Sequence, residues 1–278
     1  MKLAHVGGVD LEYTVEGVGE PVVLVHAGAV ADFFAPLIAP LARSGRFRVV
    51  HYHRVGYGGS SRPGDGEAGM AEQARQCQAL LQQLGVDRAH VVGHSLGGLI
   101  ATQLALDAPE LVGTLALLEP VDLEVPSAAE FGQQVLGAAF QRYAMGDKEG
   151  AVDAFMRGVC SPDYRPILDR VLGPAAFQQA VTDADTFFGA EAPAGMQWHW
   201  DQIDPGRLSQ PLLAVVGADS DTTSAVSTEG HQALLRRFPQ AEPHVLPGAT
   251  HLLQLQNAEG LGAALTQFFD RHPLNQRP

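Results

Sequence analysis

A short apolar run, Ala89 to Val92, stops at Gly93-His94-Ser95-Leu96-Gly97 and resumes as a helical pattern through Leu106. The run reads as a buried strand and the pattern after it as a helix, so the chain passes from one to the other in a single sharp turn. Strand and helix then cross closely, and side chains at Gly93 and Gly97 would collide in the crossing. Ser95, between them, is expected in a strained conformation, its hydroxyl clear of the backbone at the helix N-terminus.

The surrounding chain repeats this alternation. Residues 3–6 and 9–16 read as an antiparallel hairpin around Gly7-Gly8. Pro21 to His26, Phe47 to His51 and Val112 to Leu118 are continuous apolar runs of the kind covered on both faces in a parallel sheet. Helical patterns from Phe33 to Arg43 and from Met70 to Leu84 separate them. From Val121 to Arg207 only helical patterns occur, rich in aromatic residues and methionine. Alternation returns with a strand at Pro211–Gly217, a helix at Val226–Phe238, a strand at Pro243–Leu246 and a helix at Ala258–His272, before a short frayed tail from Pro273. The expected fold is therefore α/β, a mostly parallel sheet flanked by helices. Residues 1–120 and 208–278 form its core, and 121–207 an inserted helical cap. Ligands of such sheets bind beyond the carboxyl ends of the strands, where Ser95 lies.

A chain of 278 residues, 46% hydrophobic and 18% charged, suits one such domain with an insertion. Its net charge of −13 argues against nucleic acid or an anionic membrane as partner. The two cysteines, Cys77 and Cys160, are far apart, and no Cys/His spacing resembles a zinc site. Cys77, in a helical pattern, is expected as a buried thiol. The N-terminus lacks a signal peptide's apolar segment, and no run reaches the roughly 18 apolar residues of a membrane span. A soluble cytoplasmic protein, monomer or homodimer, without metal or cofactor, is the expectation.

A serine hydroxyl needs a neighbouring base to become a nucleophile, and the base needs a third group to orient it. His251, in Leu246-Pro247-Gly248-Ala249-Thr250-His251 between the last strand and the last helix, has the best setting among eleven histidines. His94 is expected to point away from Ser95, and His26 to shape its loop by hydrogen bonding. Three carboxylates are in reach of His251. Asp221, after the next-to-last strand, is the first expectation; Glu119, at the tip of the strand after the Ser95 helix, and Asp219 are the alternatives. Acyl transfer also needs two backbone N–H groups aimed at the developing oxyanion. Leu96 supplies one, and the small-residue loop His26-Ala27-Gly28-Ala29 the other, Gly28 before Ala29.

These segments resemble the α/β-hydrolase family through nearly all of the chain outside the cap. Gly93-His94-Ser95-Leu96-Gly97-Gly98 is among its common nucleophile turns, and the order Ser95, acid, His251 is the family's. His53-Arg54-Val55-Gly56-Tyr57-Gly58-Gly59-Ser60 is similar to its Arg-Gly-x-Gly-x-Ser loop, with Val55 interposed. Pro247-Gly248-Ala249-Thr250-His251 is similar to its histidine loop. Ala27 stands where the family's oxyanion loop has glycine, and Ser220 where its acid loop has aspartate. Some capped members carry the acid after the strand that follows the turn, where Glu119 lies. The resemblance implies hydrolysis of an ester, thioester or lactone of a small or medium apolar substrate through an acyl-enzyme. Members that process haloalkanes or epoxides use aspartate where Ser95 stands. A serine-dependent carbon–carbon hydrolase, a cofactor-free perhydrolase and a ligand receptor are the competing readings. The cap aromatics are expected first as its own core, with Trp198 and Ala29 as candidate substrate contacts.

Overall fold

The computed structural model describes residues 1–274. The tail expected to fray from Pro273 is held at Leu274, which is buried and whose N–H donates to Glu20 at 2.9 Å; the rest of it lies outside the described residues. Eight strands form one sheet: β1 (Lys2–Val6), β2 (Val9–Gly17), β3 (Glu20–Val25), β4 (Phe47–Tyr52), β5 (Ala89–His94), β6 (Val112–Leu118), β7 (Leu212–Gly217) and β8 (Ala241–Leu246). Their order is β1-β2-β4-β3-β5-β6-β7-β8. The pairs β1–β2 and β2–β4 are antiparallel, and the others are parallel. The hairpin turns at Gly7 and Gly8 with φ of 57° and 90°, which glycine adopts without a Cβ penalty.

Burial follows position in the sheet. Every residue of β5, β6 and β7 is buried, as two-sided cover requires, whereas the edge strand β8 leaves Val245 exposed. On one face, α1 (Ala35–Ala42) and α13 (Ala258–Arg271) enclose Leu37, Leu41, Phe47, Phe268 and Phe269. On the other, α2 (Met70–Gln83) and α3 (Leu96–Asp107) bury Leu80, Leu81, Leu99 and Ile100 in a core that continues into the helical insertion. Cys77 is fully buried in α2, and burial pushes its thiol up to about 12, so it is a packing group.

β3 lies between β4 and β5, so the connections leave it in opposite directions along the sheet. The crevice at such a reversal opens between the loops that follow β3 and β5. Those loops carry Gly28 and Ser95.

Between β6 and β7 the regular elements are all helical: α4 (Ala128–Phe131), α5 (Gly137–Ala144), α6 (Lys148–Val159), α7 (Tyr164–Leu172), α8 (Ala175–Thr182), α9 (Ala184–Thr186) and α10 (Ala192–Gly195), with short 3₁₀ turns before β7. Two π-helical turns, Gly132–Leu136 and Phe187–Glu191, interrupt this series. After α11 (Val226–Arg237) and β8, a short α12 (Leu253–Gln256) precedes α13.

The insertion is fastened to the loop after β4 by buried charge. Glu191 pairs with Arg54, both almost fully enclosed, and also accepts from the Tyr57 hydroxyl and from Gln73 Nε2 at 3.0 Å. Arg54 further donates to Gln73 Oε1 at 2.6 Å and to the Ala27 carbonyl at 3.0 Å. Nearby, Asp183 accepts from Gly58 N–H at 3.0 Å and from Arg62 at 2.7 Å. Insertion, β4 loop and Gly28 loop are thereby held as one network.

Candidate active site

Ser95 directly follows β5 with φ 53° and ψ −121°, a region an L-residue occupies only under constraint. The constraint is visible on both sides. Its N–H donates to Leu118 O at 3.0 Å, and its carbonyl accepts from Gly98 N–H at 2.9 Å. A Cβ on Gly97 would stand 2.2 Å from Val25 O, and one on Gly93 would stand 2.5 Å from Gly97 O. The crossing is as tight as the sequence demands of those two positions.

Among the described residues, three other than glycine have positive φ: Ala29, Ser95 and Glu119. Each ends or follows a strand at the same sheet edge. Strain gathered at one place in this way is a mark of a functional site.

Glu119 directly follows β6 and is almost fully buried. Its Oε2 lies 2.5 Å from His251 Nδ1, and its Oε1 accepts from Gly217 N–H at 2.7 Å and from Ser220 Oγ at 2.5 Å. Burial pushes this carboxyl up, but the His251 hydrogen bond and charge, with the Gly217 and Ser220 donors, outweigh it and hold it at about 2. Glu119 is therefore an anion that accepts the His251 Nδ1 proton, which leaves Nε2 as the basic nitrogen.

The carboxylate that meets His251 is Glu119, the alternative, and not Asp221, the first expectation. Asp221 is exposed on the Ser220–Thr222 turn, and Asp219 is exposed beside it. Neither is hydrogen-bonded to His251; the end of β7 and the turn after it instead give Gly217 N–H and Ser220 Oγ, both donors to Glu119 Oε1.

His251 is held from below. Asp219 N–H donates to Ala249 O at 2.9 Å, and Thr250 N–H to Gln256 Oε1 at 2.7 Å. The His94 ring lies 4.6 Å from the His251 ring, and His94 Nδ1 lies 3.0 Å from Gln254 Nε2. Burial first, and the His251 charge second, pull His94 well below the usual imidazole range, so it is a neutral packing partner. His26 is also fully buried and is likewise held well below the usual range, chiefly by burial. Its Nε2 accepts from Arg54 N–H at 3.0 Å, so Nδ1–H donates to Ala27 O at 2.7 Å.

Ser95, His251, Glu119, Gly28 and Leu96 line one cavity, with about 80 Å³ of water-accessible space. Its wall is otherwise mainly apolar, from Pro120, Phe131, Leu136, Phe155, Val159, Phe187 and Met196. A Cβ on Gly28 would meet Phe187 Cε2 at 2.4 Å, so only glycine fits between the π-helical turn and Leu96.

Two expected contacts lie elsewhere. Ala29 is buried outside the cavity wall, and its N–H donates to the Tyr57 hydroxyl at 3.3 Å. Trp198 directs its indole N–H to Gln103 Oε1 at 2.9 Å and packs on Trp200 at 4.9 Å, anchoring the insertion to α3. The cap aromatics divide between the two expected roles: Phe131, Phe155 and Phe187 reach the cavity, while Phe140, Tyr143 and Phe188 stack on one another. Sequence reasoning missed Asp122, Thr223, Ser224 and Ser227, all on the cavity wall. Only the position of Asp122, three residues after Glu119, hinted at any of them.

Among the described residues, Asp32, His51 and His53 offer metal-ligand atoms within 4.8 Å of one another, away from the cavity. His53 has both ring nitrogens committed, to Glu12 at 2.9 Å and to Asp32 at 3.0 Å. No helix of the described residues is long and apolar enough to cross a membrane.

Residues 20–152 match the family model of the alpha/beta hydrolase fold. Over 119 residues the chain is 40% identical to a putative carbamate hydrolase RutD of Azorhizobium caulinodans. That match covers 42% of this chain and 44% of the relative, less than half its length. The chain is 37% identical over 284 residues to the dihydrolipoyllysine-residue acetyltransferase component of the acetoin cleaving system of Cupriavidus necator, covering 95% of this chain and 67% of that one. A thermophilic esterase from Thermogutta terrifontis, solved with malate bound, superposes with a TM-score of 0.78 at 22% identity. That superposition covers 98% of this chain and all of the other, and identity so low speaks for the fold alone.

Proposed function

The chain belongs to the alpha/beta-hydrolase fold family, and from that premise we propose that it is a serine hydrolase of small carboxylic esters, thioesters or lactones. One observation carries the reading: the Glu119–His251 hydrogen bond of 2.5 Å shares a cavity with a serine in a constrained left-handed conformation. In the proposed reaction, Ser95 Oγ attacks the carbonyl carbon as His251 Nε2 takes its proton. The oxyanion is received by the N–H groups of Leu96 and Gly28; Leu96 opens α3, where N–H groups have no acceptor within the helix. Collapse expels the alcohol, which receives the proton from His251, and water then repeats the sequence on the acyl-enzyme. Glu119 stays ionised throughout and stabilises the imidazolium. The chemistry calls on no cofactor.

Apolar walls and limited space favour a short or medium acyl group. Hydrolysis of p-nitrophenyl esters from acetyl to octanoyl tests the reading. Turnover is expected to peak at short chains and to fall about a thousandfold or more in Ser95→Ala. A fluorophosphonate is expected to label Ser95. Equal turnover by Ser95→Ala, or an unlabelled Ser95 in folded protein, would reject it.

A further inference from the structure

The cavity wall contains no lysine or arginine among the described residues, yet it contains two carboxylates besides the neutral side chains. Glu119 is committed to His251, Gly217 and Ser220. Asp122 is not committed in that way. It is 7% exposed, and Oδ1 accepts from Glu124 N–H at 2.9 Å. No salt bridge among the described residues includes it. The arginines that act on it from α11 are directed elsewhere: Arg237 bonds to the Trp200 carbonyl and to Glu124, and Arg236 is exposed. Burial accordingly raises its carboxyl.

Its position is fixed from both sides. Val121 N–H donates to Ser95 O at 3.4 Å, and Val121 O accepts from Trp200 Nε1–H at 2.8 Å, so the residue next in chain is pinned between nucleophile turn and insertion. Asp122 packs against α11 at Gly230, where an added Cβ would stand 3.4 Å from its own Cβ. The start of that helix and the loop before it give the wall Thr223, Ser224 and Ser227. One part of the cavity thus has a carboxylate residue and three hydroxyl residues, while the insertion contributes mainly apolar wall, with Phe131, Leu136, Phe155 and Phe187.

A buried carboxylate without a counter-ion is costly, and a ligand cation removes that cost. We propose that Asp122 is the counter-ion of a cationic substrate group. The preferred substrates are then esters carrying an ammonium group beside an apolar arm, and anionic esters are rejected. The inference deepens the serine-hydrolase reading and rests on it for the bond that is broken.

Three alcohols of one shape separate the charge from everything else: choline, its neutral isostere 3,3-dimethylbutan-1-ol, and the anionic isethionate. As butyrate esters, the choline compound is expected to exceed the neutral one at least tenfold in kcat/KM, with isethionate slowest. In Asp122→Asn that ratio is expected to collapse to about twofold or less while Ser95 still takes the fluorophosphonate. A wild-type ratio near one, a preference for isethionate, or a ratio that survives Asp122→Asn overturns the proposal. Should Asp122→Asn fail to fold, Asp122→Ser takes its place, with the same collapse of the ratio expected and a ratio that survives it overturning the proposal. Failure of the parent reading looks different: no ester is turned over and Ser95 is unlabelled. Calorimetry of free choline and its isostere on wild type and on the Asp122 variant then still decides: a choline preference of tenfold or more that is lost in the variant supports the role of Asp122, and one that is absent or survives refutes it.

Discussion

Glu119 spends both carboxylate oxygens on neighbours that only an anion satisfies: His251 on one, and Gly217 N–H with Ser220 Oγ on the other. Glu119→Gln puts an amide where His251 Nδ1–H needs an acceptor, which favours the wrong tautomer and removes the charge that stabilises imidazolium. If His251 is the base, kcat for the p-nitrophenyl esters should fall about 10⁴-fold in Glu119→Gln. Asp221→Asn, altering an exposed carboxylate, should stay within about twofold of wild type. Equal losses would mean that both acids act. The contrast also shows what a sequence can carry at this scale. Ser95 and His251 were legible because glycine spacing and loop position mark them. The carboxylate that meets His251 was legible only as one of three alternatives, because β6 and β7 are neighbours paired at Leu118 and Val215, and their two tips reach the same point. What separates them is the φ of 42° at Glu119 and the hydroxyl of Ser220, neither of which has a period or a spacing.

The elements were legible to different degrees for the same kind of reason. Parallel strands announce themselves as apolar runs, and the β5–α3 turn by its glycines, since both are local. The contact between insertion and core is not local. Arg54 lies in the loop after β4, and Glu191 in a π-helical turn of the insertion, so no spacing links them. A helical pattern likewise could not tell which aromatic faces would turn inward, and Trp198 went to α3. The Arg54–Glu191 pair makes a prediction for the insertion as an element. Removing one partner strands the other charge in the interior, so Glu191→Leu should cost about 3–5 kcal/mol in urea unfolding. Arg54→Met should cost a similar amount. The double replacement should cost less than the sum of the two by about 2 kcal/mol or more, since neither charge is then left alone. Strict additivity would mean that the pair does not couple insertion to core.

At the scale of the whole molecule, histidine burial opposes surface charge as pH falls. His51 is pulled down to about 4 by burial and by the His53 charge. His90 is pulled down to about 4 by burial, against its hydrogen bond to Glu20. His26 and His94 are also held well below the usual range, again through burial first. For these four, the unfolded chain takes up protons near pH 6.5 while the folded chain resists. Their neutral burial therefore counts in full above 6.5, and stability is lost as pH falls from 6.5 toward 4. His53 runs the other way: burial opposes its charge, but Asp32 and Glu12 raise it above 6.5. Its contribution is present below 6.5 and fades as pH rises through the raised value. A net charge of −13 also favours mild acid, since protonation relieves repulsion. Those carboxylates are largely exposed and screened beyond about 10 Å at 0.1 M salt. Each histidine held near 4 contributes up to roughly 3 kcal/mol over the same interval. The buried groups win this comparison. Urea unfolding at 0.1 M salt should be nearly flat above pH 7 and lose several kcal/mol between pH 6.5 and 4.5. His90→Phe, which keeps the stack on Phe269 at 4.1 Å, should make that slope shallower whatever its offset at pH 7.5. A stability that rises toward pH 5 would put carboxylate repulsion, and not imidazole burial, in control of the acid limb.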